Sequence, residues 1–259
     1  LIDEGHQVEV LTNPRQLDDP QDIDVAFWRP DSRSWEVAAF ARQVPMALEG
    51  LGVPFVNSLP SCDRATNKLV SGLLFDAAGI PTPALQLAPQ AWETDDELAM
   101  PAGAVITKPV EGKASREVKL FPSASTALDH LEEADGPFLI QQAIDWTQLV
   151  RLVMSRDGAV RYFEQANPEA NAGPTITRVN STWPEPVDKV PDDAESIAMA
   201  MLNAVGGDLM RADLLRDATG ELWALEINAS FGFPHEDERI LTAFTRQLQI
   251  AAATGKPSH

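Results

Sequence analysis

Arg211, Asp213, Glu226 and Asn228 are set into two short apolar runs of "RADLLRDATGELWALEINAS", residues 211 to 230, around the turn-like "RDATGE". With "DATG" as a four-residue loop, Arg216 pairs with Glu221, Asp213 stands across from Ala224 and Arg211 across from Glu226. Side chains alternate faces along a strand. In this register the four polar residues share one face, and Ala212, Leu214, Leu225 and Ile227 make a core face. A one-residue slip would split the set. Two carboxylates and an amide are oxygen donors of the kind magnesium accepts, with room for phosphate oxygens and water. The competing reading is a solvated hairpin face carrying an Arg211–Glu226 cross-strand pair. The strongly apolar neighbours in "ALEINAS" weaken it.

Cations come next. Lys108 ends the apolar run "VITKP", facing inward or along a cleft, and Lys68 sits one helix earlier in "ATNKL". "EGKASREVKL" sets Gly112, Lys113 and Arg116 in a loop between strands, as a phosphate-covering loop would, although with a single glycine. Arg151 is a lone cation in "LVRLV", either structural or substrate-facing, and Arg178 and Asn180 in the polar stretch 167–192 are candidate carboxylate readers. Each has a plain alternative: a strand-end lysine reaching for water, a helix-surface lysine, a charged hairpin, an ordinary polar loop.

The formal net charge of −19 argues against a nucleic-acid or anionic-membrane partner, whose phosphates the long-range field would repel. It fits a cytoplasmic protein that gathers its few cations at one place. One cysteine, Cys62, and four scattered histidines offer neither a disulfide nor zinc-ligand spacing. No apolar run approaches the ~20 residues of a membrane span. The opening "LIDEGHQVEVLTNP" reads as the end of a helix running into a strand, so the chain is expected to begin inside an element.

These residues need elements to hold them. "HQVEVLT", "IDVAFWRP" and "VPFVNS" read as strands, with "SWEVAAFARQVPMALEGLG" a helix closed by glycine, which suggests a βαβ unit. "SCDRATNKLVSGLLFDAAGIPTP" reads as one amphipathic helix with Leu69, Leu73, Leu74 and Ala77 at helical spacing, ended by Gly79 and Pro81. Pro81 to Pro101 is a proline-rich connection with a short helix. Strand, loop and strand follow in "GAVITKPVEGKASREVKLF", a Ser/Thr-capped helix in "SASTALDHLEEA" and a strand in "PFLIQQAI". "QLVRLVMSRDGAVRYFEQA" is a hairpin whose turn contains Asp157-Gly158. After the 167–192 loop come a helix over "DDAESIAMAMLNAVGG", capped by Asp and Gly, the opening hairpin, and a last helix, "DERILTAFTRQLQIAAATG".

Helix-borne Lys68 before "GIPTP", then "VITKP", "FLIQQAI" and "RADLL…LWALEINAS", make an ordered set that resembles the ATP-grasp carboxylate–amine ligases over about residues 53 to 232. The likeness is to the ribosomal-protein glutamate ligase and lysine-biosynthesis ligase branch, with D-alanine–D-alanine ligase features. It implies an α/β fold of the α+β ATP-grasp type: an N-terminal parallel-sheet domain followed by two α+β subdomains enclosing a nucleotide cleft. The expected divisions are 1–60, 61–142 and 143–259, the first lacking its opening strand. The resemblance assigns Lys68 and Lys108 to the phosphates of ATP, with Lys113 added from its loop, and Gln141, Gln142, Ala143 and Ile144 to an adenine hinge with Leu225 under the ring. Asp213, Glu226 and Asn228 would hold Mg²⁺ or Mn²⁺, and Arg211 would stabilise a tetrahedral intermediate. Arg151, Arg178 and Asn180 are left for substrate. The implied reaction joins a carboxylate to an amine through an acyl phosphate; the partners are those small molecules, with a homodimer compatible. The glycine-poor loop, Gln142 where relatives carry Glu, and the lack of an acidic match for the ribose hydroxyls point instead to a weakly active or inactive nucleotide-binding module with a regulatory or scaffolding role.

Overall fold

The computed structural model describes residues 7, 22–28, 42–88, 100–111, 117–131, 136–170, 173–176, 186–232 and 237–255. The expected strand at 6–12, apart from Gln7, the first half of the helix expected over 34–52, and the short helix expected before Pro101 lie outside them. Strands β1 (Ala26–Phe27) and β2 (Phe55–Val56) pair in parallel, with α1 (Gln43–Gly50) between them in sequence. This is the connection that a helix between two strands makes natural.

The single helix expected over "SCDRATNKLVSGLLFDAAGIPTP" is two, α2 (Leu59–Thr66) and α3 (Lys68–Ala77). Asn67 divides them: its backbone is extended, and its side-chain oxygen accepts hydrogen bonds from the Leu69 and Val70 N–H groups. An Asn that can cap a fresh helix start competes with continuation of the old one. The break puts Lys68 in the first turn of α3, where its own N–H donates to the Val110 carbonyl. The packed face of α3 also differs from the leucine stripe. Leu73 is exposed, whereas Ser71, Gly72 and Phe75 are buried. The cause is a close approach: a Cβ on Gly72 would stand 2.1 Å from Leu85 Cδ2.

That leucine belongs to β3 (Leu85–Leu87), a strand inside the expected proline-rich connection. With β4 (Val105–Pro109), β5 (Lys119–Phe121) and β6 (Phe138–Gln142) it forms an antiparallel sheet in the order β3-β6-β4-β5. Helix α4 (Ala124–Leu131) covers one face, burying Ala127 and Leu131 with Val105 and Ile140. Its start carries the expected cap, the Ser123 hydroxyl accepting from the Thr126 N–H.

The larger antiparallel sheet runs β10-β9-β7-β8, from β7 (Trp146–Ser155), β8 (Gly158–Ala166), β9 (Leu209–Asp217) and β10 (Leu222–Asn228). Ser155 pairs with Gly158, so the β7–β8 turn is Arg156-Asp157 and Gly158 opens the next strand. Helix α5 (Asp192–Val205) has Pro191 at its N-cap; Asp192, Asp193 and Glu195 lie in its first turn, where carboxylates suit the helix dipole, and Gly206 closes it at φ 73°. Helix α6 (Glu238–Gly255) ends the described chain. Among the described residues no helix is long and apolar enough to cross a membrane.

One face of the large sheet is dry throughout. Val150, Leu152 and Met154 of β7, Met210, Ala212 and Leu214 of β9, and Ala224 and Ile227 of β10 pack with Ala198, Met201 and Leu202 of α5 and Cys62, Ala65 and Phe75 of α2 and α3. The two linker helices thus share a core with the C-terminal sheet. The opposite face changes along its length. At one end Val153 and Leu209 pack with Val56, Phe231 and Ile240. At the other Leu149 and Leu215 pack with Ile144, Trp146 and, partly buried, Trp223 and Leu225. Between these clusters the same face carries Arg151, Arg211, Asp213, Glu226 and Asn228.

Candidate active site

The hairpin places its polar residues together by a route different from the expected one. The Asp217 carboxylate accepts hydrogen bonds from the Thr219 N–H and hydroxyl and from the Glu221 N–H. The Asp217 N–H donates to the Glu221 carbonyl, and Gly220 turns at φ 90°. The loop is therefore three residues, and Arg216 pairs with Leu222 rather than Glu221. That is the one-residue slip that would split the polar set. A second shift repairs it: Leu214 faces Ala224, but Asp213 faces Glu226, leaving Leu225 as the extra residue of a β-bulge. Beyond the bulge Arg211 faces Asn228. Two one-residue shifts restore parity, so Asp213, Glu226, Arg211 and Asn228 share a face after all. Leu225 changes sides: it leaves the expected core face and packs with Leu215 and Ile144 on the face that carries Glu226.

The site is dense in charge. Arg211 donates from Nε to Asp213 Oδ1 and from Nη2 to Oδ2, both at 2.7 Å, and Asn228 Nδ2 donates to Glu226 Oε1 at 3.3 Å. Arg151 lies opposite Asp213 across the β7–β9 pair and is 3% exposed. Burial pushes the Asp213 carboxyl up to about 6, against the pull of Arg211. Burial acts on Glu226 in the same sense, but Lys68, Lys108 and Arg211 outweigh it and hold Glu226 below its ordinary value. Lys108 is 6% exposed, and burial brings its ammonium down to about 8 despite the attraction of Glu226. Burial lowers Lys68 as well, opposed by Glu226 and Glu111. Two lysines from outside the large sheet thus converge on the carboxylate at its edge. Lys113, Arg116, Arg178 and Asn180 lie outside the described residues.

Beside this cluster lies a cavity of about 30 Å³, the room of a single water, walled by Pro83, Ile106, Gln141–Ile144, Thr175, Ile176, Leu215 and Leu225. All four expected hinge residues and Leu225 line it. The Gln142 N–H donates to the Ala84 carbonyl and the Ala143 N–H to the Ala104 carbonyl, so those two donors are engaged. Gln141 is 1% exposed, and its side-chain oxygen has no hydrogen-bond partner among the described residues. Such a group carries a desolvation cost of about 1–3 kcal/mol until a donor reaches it. Pro83, Ile106, Val118, Thr175, Ile176 and Leu215 line the cavity without having been expected there. Thr175 is held by Trp146 Nε1, which donates to its carbonyl, and by Asn167 Nδ2, which donates to its hydroxyl. Only the polarity of the 167–192 stretch signalled it.

The donor set suits a hard divalent cation. Among the described residues no group of three or more His, Cys, Asp and Glu comes together, which leaves two carboxylates and an amide. Asp213 and Glu226 face one another directly across paired strands, where like charges repel. An added dication would relieve that repulsion, and an all-oxygen shell is what Mg²⁺ accepts.

No family model matches the chain. It is 31% identical to the D-alanine–D-alanine ligase of Gloeobacter violaceus over 229 residues, 80% of this chain and 70% of that protein. It is 27% identical to a probable α-L-glutamate ligase of Klebsiella pneumoniae over 190 residues, 71% of this chain and 62% of that one. Its fold matches a D-alanine–D-alanine ligase from Bacillus anthracis complexed with ATP, at a TM-score of 0.68 and 16% identity, over 94% of this chain and 85% of that chain. With two antiparallel sheets, oxygen donors paired on one hairpin and Lys68 and Lys108 acting on Glu226, the chain belongs to the ATP-grasp carboxylate–amine ligases, alongside D-alanine–D-alanine ligase.

Proposed function

We propose that the protein is an ATP- and Mg²⁺-dependent ligase that joins a carboxylate to an amine through an acyl phosphate. The observation that carries this reading is the pairing Asp213–Glu226 and Arg211–Asn228 on one face, with Lys68 and Lys108 acting on Glu226. The carboxylate substrate attacks the γ-phosphorus of ATP, ADP leaves, and the acyl phosphate then loses phosphate to the amine through a tetrahedral adduct. Such chemistry requires positioning and charge neutralisation more than a protein nucleophile. Asp213, Glu226 and Asn228 would hold Mg²⁺, which supplies charge neutralisation at the phosphates. Lys68 and Lys108 bind phosphate oxygens; Arg211 and Arg151 meet the oxygens that gain charge as the acyl centre becomes tetrahedral. Gln141, Gln142, Ala143, Ile144 and Leu225 receive the base. Residues 1–60 are read as an N-terminal domain, 61–142 as the linker and the small half of the grasp, and 143–259 as its C-terminal half with the metal site.

The runner-up is a module that binds nucleotide without turnover. The fork of Arg211 on both Asp213 oxygens favours it, because a carboxylate so engaged is withheld from a cation. Incubation with ATP, Mg²⁺ and pooled amino acids, with phosphate release and product masses followed together, separates the two. Release with a new amide mass supports the ligase. Thermal stabilisation by ATP with no release from any pool overturns it in favour of the module.

A further inference from the structure

The bulge at Leu225 decides which residue faces Asp213, so whatever holds the bulge in place sets the donor set. Strand β10 is an edge strand, whose outer N–H and C=O groups are open to a partner. Its free side is met by the segment that leaves α3. The Ala224 N–H donates to the Pro81 carbonyl at 2.7 Å, and the Thr82 hydroxyl donates to the Ala224 carbonyl at 3.1 Å. Both main-chain groups of Ala224 are thus taken by two consecutive linker residues. Ala224 is the last residue before the bulge: it pairs with Leu214, Leu225 is extra, and Glu226 pairs with Asp213.

The geometry points to Thr82 as a positioning residue for the cation site, one that pins the bulge and so keeps Glu226 on the same face as Asp213. Three observations converge on it. Among the described residues, the Thr82 side-chain bond reaches the residue adjoining the bulge. Without the bulge, β10 would run on in its outer register, with Leu225 opposite Asp213 and Glu226 opposite Ala212 on the dry face. A carboxylate buried there would be unpaired, so loss of the bulge carries a cost that a contact fixing Ala224 guards against. The strap also continues to the other end of the cleft. Pro83 walls the small cavity, the Ala84 N–H donates to Gln142 Oε1, and the Gln142 N–H returns to the Ala84 carbonyl. Four successive residues therefore tie the hairpin of one sheet to the hinge strand of the other. Thr82 touches no reacting group. It acts through the placement of Glu226, and the inference rests on the reading of Asp213, Glu226 and Asn228 as cation ligands.

The test is Mn²⁺ affinity, read by the paramagnetic signal of the free ion in the presence of ADP, beside ADP affinity without metal, for the full chain. Loss of an outer partner that orients a ligand weakens metal binding by about ten- to a hundred-fold. We expect Thr82→Val to weaken Mn²⁺ by about ten-fold while metal-free ADP affinity moves less than about two-fold, and Thr82→Ser to restore Mn²⁺ binding. A general loss of stability would lower both affinities together. Equal Mn²⁺ affinity in folded Thr82→Val, or failure of Thr82→Ser to rescue, overturns the assignment; Thr82→Ala removes the same hydroxyl with less bulk and answers in its place if the valine variant misfolds. Glu226→Gln separates this from failure of the site itself. If Glu226→Gln binds Mn²⁺ like the parent, the ligand reading has failed; if it loses Mn²⁺ while Thr82→Val does not, the strap alone has failed.

Discussion

The two faces of the large sheet obey different rules. The face under α2, α3 and α5 is an unbroken apolar layer to which β7 and β9 contribute every second residue and β10 contributes Leu222, Ala224 and, past the bulge, Ile227. The face toward the cleft is interrupted in its middle by five polar side chains and carries two consecutive residues, Leu225 and Glu226, on the same side. The dry face is solved by alternation and burial, and each residue there is worth its packing. The polar face holds charges that burial disfavours, and they compensate one another, Arg211 on Asp213 and Lys68 and Lys108 on Glu226. Stability is therefore concentrated on one face and chemistry on the other, so substitutions on the two should fail in different assays.

The sharpest break of that contrast is Glu226→Ala. Turnover, read as phosphate release, should fall by on the order of 10³-fold, while circular dichroism and the melting midpoint stay close to the parent. Activity equal to the parent's would show that the polar face is mere surface. On the opposite face Leu214, fully buried, serves as the counterpart. Leu214→Ala should cost about 3 kcal/mol in denaturant unfolding, with KM for ATP little changed in whatever fraction remains folded. Next comes Lys108→Ala: removing a charged partner of phosphate should weaken ATP binding by about ten- to a hundred-fold, read by calorimetry. Unchanged affinity would reject its phosphate role.

A pH series sharpens the same point. Burial leaves Lys108 titrating at about 8, and an anion bound beside it favours the protonated form. ADP affinity should therefore be level below that pH and fall above it, by up to about ten-fold per pH unit. Lys108→Arg, charged throughout, should flatten the fall. The smallest effect concerns Gln141, whose buried oxygen lacks a partner among the described residues. Gln141→Leu should stabilise the nucleotide-free protein by about 1 kcal/mol and reduce its preference for a base bearing an amino group. A destabilised variant would mean that the oxygen is already satisfied.

Residues legible from the sequence alone were those whose type clashes with their surroundings. Asp213, Glu226 and Asn228 in apolar strands, Lys108 at the end of "VITKP", and Arg151 in "LVRLV" all declared themselves, because a polar group among strand-forming apolar residues calls for a partner. Their sharing of a face followed from the two-residue period of a strand, and it survived an incorrect register because the error was an even number of residues. The parallel β1–β2 pair followed from element order, and the β7–β8 and β9–β10 hairpins from their short turn-like connections, whereas the two-subdomain arrangement came from the family resemblance.

Only the tertiary structure decided the rest. The Asp217 loop and the bulge at Leu225 moved the register twice, since turn hydrogen bonds and an edge contact from Pro81 and Thr82 act on the hairpin from outside its alternation. Asn67 broke a helix whose hydrophobic spacing reads as continuous, because a cap competes through hydrogen bonds that spacing does not record. The convergence of Lys68 and Lys108 on Glu226 joins residues far apart in the chain. Local pattern determines which face a side chain takes, whereas long-range contacts determine which partner it meets across the cleft.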